Sequence, residues 1–246
     1  MSAVPPVRVW LVIPAWCETH RLDAFAARLF PALACASLPV TVQIVDDGSP
    51  AALAEALEAR CAMWRAQFPF VNPLLRLPAN AGKGGAVYAG WNLACADEAN
   101  WLGFCDADGS VDAGEMVKLV RAALATPDAV CLCASRHVRG AEAHWGSWLR
   151  QGLSHVFAYW VRRYTGLAVR DSQCGAKLIP GPTYREVRAE LRETRFAFDA
   201  ELLLACQSAG AAIQELPVRW RWQPGSRLKL GRDGWAMLGA VRQLGR

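Results

Sequence analysis

Two aspartates one residue apart, Asp106 and Asp108, directly follow the hydrophobic run Trp101–Cys105. Carboxylates spaced this way can each give one oxygen to a hard divalent cation and leave its other positions to substrate phosphates. The competing reading is a turn held by aspartate side-chain hydrogen bonds. A calcium loop is excluded, because Gly109 stands at the fourth loop position rather than the sixth and Val117 occupies the twelfth, where a glutamate is needed. A second acidic group, Asp46-Asp47-Gly48-Ser49, ends another apolar run. Its carboxylates suit a base N–H or a ribose hydroxyl, with Ser49 capping the helix that follows; capping alone is the plainer alternative. Asn80-Ala81-Gly82-Lys83-Gly84-Gly85 can bring backbone amides and one lysine to a diphosphate at a helix start. It is no P-loop, since glycine follows Lys83, and it does not fit GxGxxG, which argues against a nicotinamide cofactor. Asp171 to Lys177 is a polar, glycine-containing loop amid apolar surroundings. His20, His137, His144 and His155 lack metal-ligand spacing, and Cys174 has no histidine beside it to make a nucleophile.

These groups need elements to position them, and the spacing of apolar residues supplies candidates. Val7–Ile13, Val40–Val45, Leu74–Leu77, Trp101–Cys105 and Ala129–Ala134 read as short buried strands. Between them fall helices at Leu22–Ala36 (interrupted by Pro31), Ala51–Gln67, from the glycine turn to about Ala96, and Ala113–Ala125. Alternation of strand and helix predicts an α/β fold, a mostly parallel sheet with helices on both faces. Ligands of such sheets lie beyond the carboxyl ends of the strands. Pro14–Glu18, Asp46–Ser49, Asn80–Gly85 and Asp106–Asp108 all fall there.

The second half changes character. From Trp145 to Tyr164 a stripe of Trp145, Trp148, Leu149, Leu153, Val156, Phe157, Trp160, Val161 and Tyr164 opposes Arg150, Arg162 and Arg163. The pattern fits an amphipathic helix on a membrane surface as well as an ordinary core-facing helix. With 246 residues and 53% hydrophobic content, one undivided domain is expected over 1–246, its first half to about residue 135 and its second from about 136. Nine cysteines, an odd number without a CxxC or a signal peptide, point to reduced thiols in the cytoplasm. No stretch reaches the ~18 apolar residues of a membrane span. The net charge of +5 is concentrated between Arg136 and Arg170 and after Arg219, which favours a phosphate-rich ligand or an anionic membrane. Nucleic acid is disfavoured, as no basic run carries interleaved aromatics at a known spacing.

Eight segments in order resemble the family 2 glycosyltransferases, and within them the dolichyl-phosphate β-glucosyltransferases and polyprenyl-phosphate mannose synthases. They are VIPAWCETHRL, IVDDGSP, NAGKGGAV, FCDADGS, ASRHV, DSQCGAKL, FAFDAELL and PGSRLKL, spread over nearly the whole chain. DSQCGAKL and PGSRLKL are closer to the glucosyl branch. The resemblance implies a GT-A, Rossmann-like fold and transfer, with inversion, of glucose from UDP-glucose to a polyprenyl or dolichyl phosphate.

By the same resemblance, Pro14, Ala15, Trp16, Glu18, Val45 and Asp47 would line the nucleoside pocket and Lys83 would lie near the donor phosphates. Asp106, Ala107 and Asp108 would meet the nucleotide sugar, the two aspartates holding Mg²⁺ or Mn²⁺ with Ser110 beside them. Arg221 and Arg227 would clamp the diphosphate. Arg136, Arg150, Gln173 and Lys177 would receive the acceptor phosphate. Trp16 and Cys17 replace the family's usual tyrosine and asparagine, so stacking on the base is kept while one hydrogen bond is lost. Without spanning segments, membrane contact would be peripheral, at the cytoplasmic face. Two alternatives stay open, a GDP-mannose donor and a hydroxyl acceptor. A hydroxyl would require a general base, for which Asp199 is the one candidate, whereas a phosphate dianion requires none. A nucleotide-sugar-binding protein without turnover is opposed by the intact Asp106/Asp108 pair.

Overall fold

The structure, a computed structural model, describes residues 8–96, 99–127, 129–225 and 232–245. Its first half alternates strictly: β1 (Val9–Ala15), α1 (Thr19–Cys35), β2 (Val40–Asp46), α2 (Ala51–Gln67), β3 (Leu75–Arg76), α3 (Lys83–Ala96), β4 (Trp101–Cys105), α4 (Ala113–Ala125) and β5 (Val130–Ser135). Then come β6 (Glu142–His144), α5 (Trp148–Thr165), β7 (Ala176–Pro180), α6 (Gly181–Val187), α7 (Phe198–Ser208), β8 (Ala212–Pro217), β9 (Arg219–Arg221) and α8 (Arg232–Leu244). The main sheet has the order β3-β2-β1-β4-β7-β5-β8, and β6 pairs with β9 in a separate two-stranded sheet.

Strand periodicity decides what each face of the sheet buries. In β1, Val9, Leu11 and Ile13 join Leu22, Phe25, Phe30, Leu57, Met116 and Leu119 in one core layer. Trp10 and Val12 point the other way, to Val87, Trp91, Phe104, Tyr184, Phe198 and Leu202. Helices α1, α2 and α4 therefore cover one face, and α3, α6 and α7 the other. Truncating a core aromatic such as Phe25 or Phe104 to alanine would cost about 3–5 kcal/mol. In α4 the buried positions Met116, Leu119, Val120 and Ala123 form the apolar stripe, and Asp112 caps the first turn by accepting from the Ala113 amide at 2.7 Å.

Three local features differ from expectation. Pro31 does not interrupt α1, which runs through it; the proline removes one amide donor near the end of the helix, and α1 ends four residues later. Pro50, not Ser49, stands at the N-cap of α2 and makes no side-chain cap there, while the Ser49 hydroxyl accepts from the Cys17 amide at 3.0 Å. Strand β7 is antiparallel to both neighbours and separates β4 from β5, two strands that sequence order alone would pair. Among the described residues no helix is long and apolar enough to cross a membrane.

Candidate active site

The parallel strands β1, β2 and β4 end on one edge of the sheet, and their following turns border a cleft of about 960 Å³. One end is built around Asp47. Its carboxylate accepts from the amides of Ala81 (2.6 Å) and Gly82 (3.0 Å) and from the Asn80 side chain (2.9 Å), fastening residues 80–82 to the end of β2. Burial pushes its pKa up to about 6, and the two amides hold it from rising further. Gly48, at φ +68, permits the approach, since a Cβ there would lie 2.4 Å from the Ala79 carbonyl carbon. Beside it Cys17 holds φ 55, in the left-handed region where asparagine is several-fold favoured.

The turn after β4 places Asp106 and Asp108 on the cleft floor. Lys83, the first residue of α3, sets its ammonium 2.7 Å from Asp106 and 4.0 Å from Asp199. Burial alone would lower the lysine's pKa, but the charges of Asp106 and Asp199 outweigh it and raise the value. Asp108 accepts from the Ser110 amide at 2.8 Å and faces Arg21 at 3.7 Å; Arg21 is also paired with Glu18. Burial and then the neighbouring charge of Asp106 raise the pKa of Asp108. Two hard oxygen ligands that repel one another in a half-buried cleft suit a divalent cation, which relieves that repulsion. Among the described residues no three His, Cys, Asp or Glu side chains stand together as a metal site.

The far wall is aromatic and basic. Arg136, just after β5, stacks on Trp145 at 4.8 Å and Trp220 at 5.2 Å, while Arg150 of α5 lies 5.1 Å over Trp222. His137 stacks on Trp145 and bonds Ser154 at 3.0 Å, and burial lowers its pKa to about 4. Asp171 pairs with Arg136, and Lys177 of β7 pairs with Asp199 at 2.5 Å.

A family model described as glycosyl transferase family 2 matches residues 10–190 of this chain. The chain belongs to glycosyl transferase family 2. It is 30% identical to the dolichyl-phosphate beta-glucosyltransferase of Drosophila melanogaster, over 93% of this chain and 74% of that protein. Two solved glycosyltransferases share the fold. Glucosyl-3-phosphoglycerate synthase from Mycobacterium tuberculosis, solved with UDP, superposes with a TM-score of 0.65 at 15% identity, over 97% of this chain and 79% of that one. The mannosyltransferase PcManGT from Pyrobaculum calidifontis, solved with GDP-Man and Mn²⁺, gives 0.60 at 16%, over 97% and 64%. These likenesses establish the GT-A fold.

In this glycosyltransferase the cleft gathers Pro14, Ala15, Trp16, Glu18, Asp47, Lys83, Asp106, Ala107, Asp108, Ser110, Arg136, Arg150 and Gln173 from the expected site. Three expected residues stand elsewhere. Val45 is wholly buried and packs against Gly90 in the core. Lys177 has no exposed surface, its ammonium being used by Asp199 and the Cys174 carbonyl, so it supports the wall from behind. Arg221 is exposed on β9 and does not border the cleft; its amide bonds the Ser110 carbonyl at 2.9 Å. Arg227 lies outside the described residues. The amphipathic segment is also divided differently. Trp145 precedes α5 and belongs to the cleft wall, and Trp160 stacks on Tyr164. Trp148 (83% exposed), Leu149 and Tyr159 are exposed outside the cleft, while Leu153, Val156 and Trp235 (78%) of α8 are exposed where they border it. Sequence reasoning missed Arg21, Arg195, Trp220 and Trp222; RWRW after β8 was the available signal for the last two.

Proposed function

We propose that this glycosyltransferase moves glucose from UDP-glucose to a polyprenyl or dolichyl phosphate, inverting the anomeric carbon. The observation that carries the phosphate acceptor is that the acidic side chains bordering the cleft are committed. Asp47 holds residues 80–82, Glu18 pairs with Arg21, Asp106 with Lys83, Asp171 with Arg136 and Asp199 with Lys177, while Asp108 accepts from Ser110. Asp199, the base a hydroxyl acceptor would require, sits between two ammonium groups. A phosphate monoester is largely dianionic at neutral pH, its second pKa being about 6, and attacks without a base.

The chain's residues then have positioning and electrostatic tasks. Lys83 and Arg21 put positive charge beside the carboxylate pair, where the leaving diphosphate would collect charge. Asp106 and Asp108, with Ser110 adjacent, would hold Mg²⁺ or Mn²⁺, which neutralises that leaving group when bound. Arg136 and Arg150 would receive the acceptor phosphate. Their wall is continuous with the outward apolar side of α5 and with Trp235, a surface suited to headgroup depth, where tryptophan is favoured. We place the enzyme peripherally at the cytoplasmic face of a membrane; its nine cysteines, none of them in a disulfide among the described residues, accord with a reducing setting. The glucosyl donor is supported by the name of the Drosophila relative and by DSQCGAKL and PGSRLKL. Calorimetric titration with UDP and GDP tests the donor: tighter UDP binding is expected, and tighter GDP binding would move the enzyme to the mannosyl branch.

A further inference from the structure

Ser172 Oγ, Gln173 Nε2 and Trp222 Nε1 are buried and have no hydrogen-bond partner among the described residues. All three residues border the cleft, and Ser172 is only 2% exposed. A buried donor left without an acceptor is costly, so three around one cavity mark a place where ligand oxygens belong.

Their position narrows the ligand. Both segments that carry them join the Asp106–Asp108 turn to the arginine wall. At one end of the first segment Asp171 holds Arg136; at the other, the Gly175 carbonyl accepts from the Asp106 amide at 2.8 Å. Gly175 admits no side chain, because a Cβ there would lie 2.0 Å from Asp106 Oδ2. In the second segment the Arg221 amide bonds Ser110 at 2.9 Å, and the Trp222 amide bonds His144 at 2.8 Å. The Trp222 ring packs under Arg150 and against Gly146, where a Cβ would come within 2.7 Å of it. Ser172 and Gln173 thus lie on the segment that runs from the Asp106 turn to Arg136, and Trp222 lies on the arginine wall, on a segment bonded to Ser110. The three donors are neutral; the Arg136 guanidinium already has its charge matched by Asp171, and that of Arg150 lies over the face of the Trp222 ring rather than at its N–H. Neutral N–H and O–H donors suit the hydroxyl oxygens of a sugar better than the oxygens of a phosphate, which call for charged partners.

We propose that Ser172, Gln173 and Trp222 form the subsite that reads the hydroxyls of the transferred hexose and so sets which sugar is accepted. This rests on the donor reading above. A pocket that hydrogen-bonds a substrate hydroxyl rejects the analogue lacking it, because its own polar groups are then left unpaired.

The test uses the full chain with Ser172→Ala, Gln173→Met and Trp222→Phe, titrated with UDP, UDP-glucose and UDP-glucose analogues lacking one hydroxyl each. UDP affinity should stay at the wild-type value in every variant, which also reports that the nucleotide end is folded. UDP-glucose affinity should fall roughly tenfold per lost hydrogen bond. Each variant should become indifferent to removal of the one hydroxyl its residue contacts, while wild type is penalised for that removal. The inference is overturned if the variants keep the wild-type penalty for every deoxy analogue, or if they change only the KM for polyprenyl phosphate. It is also overturned if wild type binds UDP-glucose and every other UDP- or GDP-hexose no tighter than the bare nucleotide. Preference for a GDP-hexose would fail the donor reading alone, and the same hydroxyl-deletion comparison with that sugar would then decide the subsite.

Discussion

Arg136 gives Nε and Nη2 to the two oxygens of Asp171, each at 2.7 Å, and its backbone amide to the same carboxylate at 2.8 Å. The pair is nearly buried and clamps the end of β5 to the loop before β7. It also fixes the guanidinium plane against Trp145 and Trp220, so that this wall of the cleft is set by the protein's own contacts.

This pair should govern acid stability. Burial opposes the charge on Asp171, but Arg136 more than offsets it and holds the pKa at about 2, below the ordinary 3.8. A depressed carboxylate stabilises the fold fully above its unfolded pKa and loses that contribution as pH falls through the folded one. Stability should therefore drop by about 2 kcal/mol between pH 4 and pH 2. Denaturant melts across that range should show a flatter acid limb in Asp171→Asn, together with a loss of about 3–5 kcal/mol at pH 7 from the unpaired arginine. An unchanged acid limb would contradict the assignment.

Lys177 should prove structural. Lys177→Met leaves Asp199 short of its nearer partner and should cost about 3 kcal/mol, most of it recovered in Lys177→Met/Asp199→Leu. At a temperature where Lys177→Met remains folded, the KM for polyprenyl phosphate should equal that of wild type. A raised KM there would return the lysine to the acceptor site.

The strand-end chemistry was legible because it is local: a carboxylate after a buried apolar run must emerge at the strand's end, as Asp47 and Asp106 do. Helices α2 and α4 and strand β4 also keep the bounds their apolar spacing predicts. Strand β7 was not legible. A lysine inside Ala176–Pro180 reads as solvent-facing, and the distant Asp199, together with the Cys174 carbonyl, allows it to be buried. For the same reason Lys177 resembled a ligand contact in sequence. Val45 failed in the opposite way, since strand alternation turns it inward even at the site edge. The division of the α5 stripe depends on where α8 packs, which helical periodicity does not encode.

The outward aromatics should act on lipid and not on the core. Trp148→Ser with Trp235→Ser should change stability by no more than about 0.5 kcal/mol per site. The same change should reduce co-sedimentation with anionic liposomes at low salt. Unfolding of the double variant would make these residues core, and a wild-type protein that never sediments would remove the membrane from the account.

The carboxylate pair should require a divalent cation. Mn²⁺ should bind in the presence of UDP, as read by its paramagnetic resonance signal, and Asp108→Ala should lose that binding with an unchanged circular dichroism spectrum. Full transfer activity in EDTA would dismiss the metal.

The most direct measurement is transfer itself. Purified protein is incubated with radiolabelled UDP-glucose, Mg²⁺ or Mn²⁺ and a polyprenyl phosphate, and label is counted in the lipid phase, with GDP-mannose and a saccharide acceptor run in parallel. The account predicts label in the lipid from UDP-glucose, absent with Asp108→Ala and absent when the lipid ends in a hydroxyl instead of a phosphate. Label on the saccharide, or on the hydroxyl-ended lipid, would contradict it.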